Sequence, residues 1–437
     1  MYGAGLRPLL SWEGCSKHSA SSVPSPRRLT AWLLGREDYV ALLESGGGLP
    51  GRSRYTVVAA GVEDEASSND PVNAYNALAG FLHRLRCSSL PCRDMAVILV
   101  SYEAVAGAEP WLADRLGRHE WPVAEAFKPS MLVVYDHAAE RVVVCPEDAA
   151  IGSAEPPQGF RARGVEYATP PDQYMEWVRE LRRAIEDGEV FQVVVSRLVR
   201  AGFTGDPYAA YIRLAELNPS PYMYYIRMGD RFLLGTSPEL LVKLSDGRLE
   251  THPIAGTRPR GRGERDIELE EEMLGDEKEL AEHLMLVDLA RNDLGRVAAP
   301  GTVRVTALMD VEKYSHVQHI VSRVEAQAAP GTTYHKALKA VHPAGTVSGA
   351  PKPRAMELIA GLEEEPRGPY AGAVGLAASH AGETAIVIRS AWGYMDGVVE
   401  SRAGAGIVYD SKPERELEET RHKLRAVMKA LGVTEGY

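Results

Sequence analysis

The sequence lacks several features that would assign a protein to a broad class at once. No apolar run among its 437 residues approaches the ~20 residues that a membrane-spanning helix needs. Positive charge is not in excess, since 49 Lys and Arg stand against 60 Asp and Glu, and the net charge of −11 argues against a nucleic-acid partner. Neither GxGxxG after a strand nor GxxxxGK[ST] is present, so neither a dinucleotide nor a nucleoside triphosphate is indicated. We therefore expect a protein that acts without membranes or nucleic acids.

Cysteine is also scarce. The four cysteines are too few and too scattered along the chain for a disulfide framework; they are Cys15, Cys87, Cys92 and Cys145. Residues 1–28 are rich in Ser, Gly and Pro and lack the basic start and apolar core of a signal peptide, so we predict a loose extension there. The simplest expectation is a reduced, cytoplasmic protein.

What the sequence does contain is a dense series of valine-rich strands and amphipathic helices. Short strands bounded by turn residues are predicted at 54–61, 95–101, 131–136 and 141–145, the last two forming a hairpin. After a connection at 151–169, helices at 172–187 and 206–217 alternate with strands, and one hairpin turns at Asp246 and Gly247. The pattern indicates an α+β fold with large, mostly antiparallel β-sheets that form a sandwich and have helices packed outside them.

Two helices carry a carboxylate pair at i and i+3, positions that share a face. One helix is predicted at 275–297 and the other at 413–431, where Lys423 follows one turn after the pair. Two such helices can converge on one hard cation such as Mg²⁺, which takes oxygen ligands and keeps room for water and an anionic substrate. The alternative is that both are ordinary solvated helix faces. The pairs are Glu279 with Glu282 and Glu416 with Glu419.

Other segments have a composition that suits an anion site. The loop at 342–352 is rich in Gly, Ser and Thr and leads into a helix, so its backbone N–H groups suit an anion. Arg389 lies inside an apolar strand, where its charge needs a partner such as a ligand carboxylate. His319 lies among valines and is either a catalyst or a hydrogen-bonded core residue. Together these features indicate a magnesium site that receives a small, multiply negative molecule, but they do not name a reaction.

Nine segments resemble, in order, those of component I of anthranilate synthase, within the chorismate-utilising enzymes. The resemblance is close over residues 172–431 and weaker in the first part, where LLES at 42–45 carries it. It implies an N-terminal, regulatory domain at 29–150 and a chorismate-binding catalytic domain at 170–437. The segments are FQVVVSR, NPSPYMYY, PIAGTRPRG, DEKELAEHLMLVDLARNDLGRV, VEKYSHVQHIVS, PAGTVSGAPK, RGPYAGAVG, AGAGIVYDS and PERELEET.

The resemblance also implies a reaction and residue roles. Chorismate and ammonia would give an aminated ring intermediate, and loss of pyruvate would then give anthranilate. Glu239 would protonate the departing hydroxyl, His319 would assist the loss of pyruvate, and Gln192 and Thr346 would line the reacting centre. Glu282 and Glu419 would bind Mg²⁺, with Glu279 and Glu416 behind them or acting through water. The implied chorismate contacts are Gly256, Thr257, Tyr370, Arg389, Gly404, Ala405, Gly406 and Lys423.

Two positions separate this sequence from sister enzymes. Enzymes that add water to chorismate carry Lys where this chain has Gln192, and a glutamine cannot act as a base. The enzyme that makes aminodeoxychorismate typically carries Lys in place of Ala255. Both departures favour anthranilate synthesis over those two activities. A regulatory or scaffold protein that kept the fold but lost the chemistry is the remaining alternative, and the intact site residues argue against it.

The resemblance finally implies an inhibitor and a partner. Tryptophan would bind as feedback inhibitor, unless the segments concerned are only a packing seam between strand and helix. None of the four cysteine contexts fits the glycine-rich turn that carries an amidotransferase nucleophile. We therefore expect a separate glutamine amidotransferase subunit, component II, in a heterotetramer. The residues implied in tryptophan binding are Glu44, Ser45, Arg54, Pro221, Tyr222 and Met223.

Overall fold

The computed structural model describes residues 13–46, 54–117, 119–314 and 317–433. Within them, β-strands and α-helices alternate along the whole chain. The strands are β1 Ser16–Ser19, β2 Tyr39–Glu44, β3 Tyr55–Ala60, β4 Asp64–Ser68, β5 Ala96–Val100, β6 Ala124–Lys128, β7 Met131–Asp136, β8 Arg141–Cys145, β9 Phe160–Tyr167, β10 Gln192–Gly205, β11 Tyr222–Met228, β12 Arg231–Ser237, β13 Leu240–Ser245, β14 Arg248–Thr251, β15 Ile254–Pro259, β16 Arg304–Lys313, β17 Val317–Gln327, β18 Gly349–Ala350, β19 Ala373–Ala377, β20 Gly382–Ile386, β21 Ser390–Tyr394 and β22 Val398–Ile407. The helices are α1 Pro26–Leu34, α2 Ala74–Leu82, α3 Pro171–Glu186, α4 Pro207–Leu217, α5 Glu264–Leu274, α6 Glu277–Gly295, α7 Tyr334–Val341, α8 Lys352–Leu362 and α9 Pro413–Ala430.

The strands form two antiparallel sheets, which confirms the predicted fold class. The first sheet has the order β1-β8-β7-β3-β2-β11-β12-β21-β22-β10-β18, with β9 beside β10, and the second has the order β15-β17-β14-β13-β20-β19-β5-β6-β4, with β16 beside β17. Successive residues of a strand face opposite sides, so in β2 Ala41 points to a core that both sheets share, whereas Leu42 packs against the helical layer. Helices α1, α4 and α9 form that outer layer.

Both sheets contain strands from the two predicted domains. β2 pairs with β11 in the first sheet, and β5 pairs with β19 in the second. The described parts of the two predicted domains therefore build one joint sandwich. None of the described helices is both long and apolar enough to cross a membrane.

The loose extension predicted at 1–28 is wrong for the part that the structure describes. β1 adds to the edge of the first sheet by pairing with β8, and α1 packs on β2 and β3. The strand sequence SKHS has no apolar alternation, so its order comes from the partner strand and not from its own pattern. Residues 1–12 lie outside the described residues.

The expectation that all cysteines are reduced is also contradicted. The structure pairs Cys15 with Cys145 and Cys87 with Cys92. The first pair is 130 residues apart in sequence and meets only because β1 lies beside β8, so spacing in the sequence could not reveal it. The cytoplasmic location stays a prediction.

Candidate active site

Helix α6 carries the first carboxylate pair and lies beside the second sheet. The Asp276 carboxylate caps the helix by accepting hydrogen bonds from the backbone N–H groups of Lys278 (3.1 Å) and Glu279 (3.2 Å). α6 then packs on β15 and β17. Gly256 in β15 has φ +61°, and a Cβ there would lie 2.9 Å from Oε2 of Glu279. The positive φ favours glycine at this position, and a Cβ there would crowd the Glu279 side chain.

The two carboxylate pairs are near enough to interact electrostatically. Burial raises the pKa of Glu282 to about 7, and the neighbouring carboxylates of Asp410, Glu419 and Glu279 add to this shift. Burial, and then Glu419, raise the pKa of Glu416. Although burial would raise it, the pKa of Glu419 itself is lowered, because Lys423 and the other neighbouring cations together outweigh the effect of burial. The metal site stays a prediction.

Cationic side chains pair with these carboxylates. Lys278 Nζ lies 3.8 Å from Glu282, Lys423 Nζ lies 2.7 Å from Glu419, and Arg258 donates to Glu279 at 2.7 Å. The second oxygen of Glu279 is buried and accepts no hydrogen bond. No group of three or more His, Cys, Asp or Glu side chains in the described residues is arranged as a ready metal cage. Mg²⁺ usually keeps several waters and is held by one or two carboxylates together with oxygens of its substrate.

Glu239 is a buried acid at the end of β12. Burial raises its pKa to about 8, against the opposing effects of a hydrogen bond from Thr346 Oγ1 (2.8 Å), a backbone N–H of Ile254 and the charge of Lys423. Thr346 is held in place by the short 3₁₀ helix Gly345–Val347. At neutral pH Glu239 therefore keeps its proton and is poised as a general acid.

His319 has the opposite shift. It lies on β17 opposite Thr257 of β15. Burial, with a smaller effect from Arg389, lowers its pKa to about 4, so the ring is neutral at pH 7. Its Nδ1 lies 3.3 Å from the Gly256 carbonyl and 3.0 Å from Thr257 Oγ1. Because a carbonyl only accepts, Nδ1 carries the proton in this arrangement, and Nε2 is left as the basic nitrogen.

The remaining predicted contacts line the same space. Arg389 is held at φ 54°, donates to the Lys423 carbonyl at 3.1 Å, and has a pKa lowered by burial against the charge of Glu419. Burial raises the pKa of Tyr370 to about 12. Lys423 Nζ donates to the Gly404 carbonyl at 2.8 Å and so ties α9 to β22. A non-glycine residue with positive φ, such as Arg389, often marks a functional site.

The glycines of β22 admit other groups close to its backbone. A Cβ on Gly404 would lie 2.9 Å from Tyr370 Oη, and a Cβ on Gly406 would lie 2.6 Å from Gln192 Nε2. Ala405, between them, points to the opposite side and packs against α3 and α8. Ala405 can therefore contact a ligand on the Gly404 and Gly406 side only through its backbone. Gln192 has a buried Oε1 that accepts no hydrogen bond.

A buried ionic network behind Tyr370 was not predicted from the sequence. Glu363 accepts hydrogen bonds from Arg367 Nη2 (2.7 Å), Arg402 Nη1 (2.7 Å) and Ser196 Oγ (2.9 Å). The Arg367 guanidinium also lies 5.6 Å from the Tyr370 ring centre. Breaking such a buried network is strongly destabilising, so it fixes the wall of the site. In the sequence, the network is indicated by Arg402, a charged residue within a strand of small residues. Arg389 indicates a buried charge that needs a partner in the same way.

The residues implied in tryptophan binding lie together only in part. Glu44 of β2 is opposite Met223 of β11, and the Gly46 N–H donates to the Ser220 carbonyl at 2.8 Å, so Ser45 runs beside the start of β11 at Pro221 and Tyr222. Arg54 is engaged with another group, since its Nε and Nη2 donate to the two oxygens of Asp136 at 3.1 and 2.8 Å. Its guanidinium is committed to this bidentate pair.

Comparison with known proteins identifies the family. The chorismate binding enzyme family matches residues 42–429. The chain belongs to this family. It is 56% identical over 430 residues to "Anthranilate synthase component 1" of Aeropyrum pernix, with 98% of each chain covered, and 44% identical to the protein of the same name from Saccharolobus solfataricus, with 95% of this chain and 99% of the relative covered. The resemblance seen in the sequence is thereby confirmed.

Solved structures agree on the fold of this chorismate-binding enzyme. The crystal structure of anthranilate synthase component I from Streptococcus pneumoniae superposes with a TM-score of 0.76 at 32% identity, covering 87% of this chain and 93% of that one. The menaquinone-specific isochorismate synthase MenF from Escherichia coli superposes with a TM-score of 0.75 at 19% identity, covering 95% of this chain and 94% of that one. The second likeness shows the fold alone.

Proposed function

We propose that this chain is the large subunit of an anthranilate synthase and converts chorismate and ammonia to anthranilate and pyruvate, the first committed step towards tryptophan. One observation carries the proposal: Glu239, hydrogen-bonded by Thr346, and His319, beside Thr257, are both buried, and burial raises the pKa of the first to about 8 and lowers that of the second to about 4. Two titratable groups whose pKa values are shifted in opposite directions typically act as the acid and the base of one reaction. The names of the relatives at 56% and 44% identity support the same reaction.

Each group has one task in the two half-reactions. In the first, the ammonia nitrogen bonds to the ring carbon, the ring hydroxyl leaves, and Glu239 transfers its proton to that oxygen so that water departs. The ammonium group that forms on the ring then loses one proton, which balances the proton that Glu239 transferred. In the second, His319 Nε2 accepts the ring proton as the ring C–O bond to the enolpyruvyl group breaks, and the ring becomes aromatic. The enolate that leaves takes up one proton to become pyruvate, which balances the proton removed from the ring.

Magnesium fits the carboxylate cluster. We propose that Glu282 and Glu419 hold the ion and that Glu279 and Glu416 act behind them, because a cation would favour the charged form of Glu282, whose pKa is raised first by burial and then by neighbouring carboxylates. The unpartnered Oε2 of Glu279 supports the same assignment. When bound, the ion would draw charge from the ring carboxylate of chorismate and orient it. Arg389 would pair with a further substrate carboxylate.

The sister activities fit less well. Gln192 is buried with its amide beside Gly406, where a lysine would be needed to activate water. Ala255 offers no amine in β15. The site therefore favours free ammonia as nucleophile over water or a covalent amine.

Ammonia must be supplied, since its conjugate acid dominates at neutral pH. All four cysteines are paired in the structure, so no thiol is free to hydrolyse glutamine. We therefore propose a glutamine amidotransferase partner, component II, in a heterotetramer, and tryptophan as a feedback inhibitor at Glu44. We keep the cytoplasm as the proposed location, where these metabolites are made.

The proposal is tested with the isolated chain, Mg²⁺ and chorismate. With an ammonium salt we expect anthranilate fluorescence, and with glutamine as the only nitrogen source we expect none until an amidotransferase subunit is added. Mass spectrometry of the product separates anthranilate from isochorismate and aminodeoxychorismate. Either of those as the main product would refute the proposed reaction, and anthranilate from glutamine without a partner would refute the proposed subunit.

Replacing His319 by methionine separates the half-reactions. Because Nε2 is the proposed base for the ring proton, His319→Met is expected to slow elimination more than amination, by about 10²-fold or more. The aminated intermediate should then accumulate and be visible by chromatography. The matched control is His342→Met, which replaces a buried histidine whose Nδ1 is hydrogen-bonded to Tyr75. If no intermediate appears and both steps fall together, His319 has a structural role.

A further inference from the structure

The carboxylate of Glu44 already has a cation. Arg27 Nε lies 3.2 Å from Oε1 and 3.1 Å from Oε2 of Glu44, and Tyr211 Oη donates to Oε2 at 2.6 Å. The Glu44 side chain is only 11% exposed, whereas that of Arg27 is 30% exposed. Although burial opposes its charge, Glu44 raises the pKa of Arg27 above its usual value. The carboxylate that would bind the ammonium group of an inhibitor is therefore already paired with a guanidinium of the same chain.

The geometry of this pair makes Arg27 displaceable. One N–H, at Nε, is shared between both carboxylate oxygens, so the contact is not the two-bond fork that gives the strongest arginine–carboxylate pairs. The Arg27 backbone stays fixed, because its carbonyl accepts a hydrogen bond from Tyr208 Oη at 3.0 Å. The side chain can thus turn to solvent while α1 stays docked. Tyr211 would remain on Oε2 as a neutral donor.

We propose that Arg27 is an internal counter-ion that competes with the ammonium group of the amino-acid inhibitor for Glu44. This inference rests on the proposed inhibitor site and adds its regulation. While the site is empty, Arg27 neutralises a carboxylate that would otherwise be buried without a cation. When the inhibitor binds, its ammonium replaces the guanidinium. The competition lowers inhibitor affinity and so sets the concentration at which feedback begins.

The test is calorimetric titration of tryptophan into the full chain. Arg27→Met removes the competing charge but keeps an unbranched side chain, and we expect tryptophan to bind roughly fivefold more tightly, as for loss of a partly exposed ion pair. Arg27→Gln should change affinity in the same direction, and Arg27→Lys should stay within about twofold of wild type. The matched control is Arg28→Met: Arg28 is the next residue of α1 and pairs with the exposed Glu155, so its loss should leave affinity unchanged. Thermal unfolding verifies that each variant is folded.

The outcomes separate this inference from the site on which it rests. Unchanged affinity in both Arg27→Met and Arg27→Gln overturns the competition. Weaker binding overturns it too, because Arg27 would then contact the inhibitor itself. Glu44→Gln should weaken tryptophan binding in either case. If wild type binds no tryptophan, or if Glu44→Gln binds it normally, the proposed inhibitor site is wrong, and the role of Arg27 is wrong with it. The proposed reaction is tested separately by the activity assay with ammonium and does not depend on this result.

Discussion

Glu239→Gln is expected to lower kcat for anthranilate formation by about 10²- to 10⁴-fold, the usual contribution of a positioned general acid. The amide keeps the size of the side chain and can still accept the hydrogen bond from Thr346, so the pocket should stay intact. What is lost is the proton for the departing hydroxyl. The step that fails is amination, and no aminated intermediate should accumulate, in contrast to His319→Met.

The pH profile gives an independent check on Glu239. A general acid works only while protonated, and the raised pKa moves its loss of function from the usual range of glutamate to about pH 8. Expressed against free NH₃, kcat/KM for chorismate should therefore fall above about pH 8 in wild type. The decrease in kcat/KM above about pH 8 should be absent from the residual activity of Glu239→Gln. A matched control is Glu125→Gln, a buried glutamate on β6 whose pKa is also raised by burial. A Glu239→Gln variant within fivefold of wild type would contradict the assignment.

Local patterns predicted the helices that carry the proposed metal site. The periodic runs at 275–297 and 413–431 became α6 Glu277–Gly295 and α9 Pro413–Ala430. Their carboxylate pairs are recognisable from the i and i+3 spacing alone, because that spacing places both side chains on one helix face. The pKa values could not be predicted, because burial of Glu239 and His319 comes from distant elements that close over them.

Contacts between distant residues were out of reach of sequence patterns. Glu363 meets Ser196 and Arg402, which are 167 and 39 residues away; the charge of Arg402 within a strand of small residues indicates a buried partner, but nothing in the sequence identifies Glu363 as that partner. The strand β4, with the sequence DEASS, has no apolar alternation and is ordered by pairing with β6. Arg27 meets Glu44 only because α1 docks on β2. Where order comes from the partner, periodicity gives no indication of it.

Glu282→Gln and Glu419→Gln are each expected to lower Mg²⁺-dependent turnover by about 10²-fold or more, since a Lewis-acid contribution amounts to several kcal/mol. Mg²⁺ is hard to dehydrate and depends on one or two carboxylates, so removing one should lose both affinity and orientation.

A second measurement does not depend on activity. Because an ion that binds only the folded state stabilises it, Mg²⁺ should raise the Tm of wild type but not of either variant. Without Mg²⁺ both variants should remain folded, and Glu282→Gln should be at least as stable as wild type, because it removes a carboxylate that its neighbours repel. The matched control is Glu418→Gln on α9, whose half-exposed side chain pairs with Arg421 at 3.2 Å and His422 at 3.1 Å. Near-normal turnover and a normal Mg²⁺ shift in Tm for either Glu282→Gln or Glu419→Gln would remove that residue from the metal site, and the same result for both would leave the carboxylate cluster as a purely electrostatic feature.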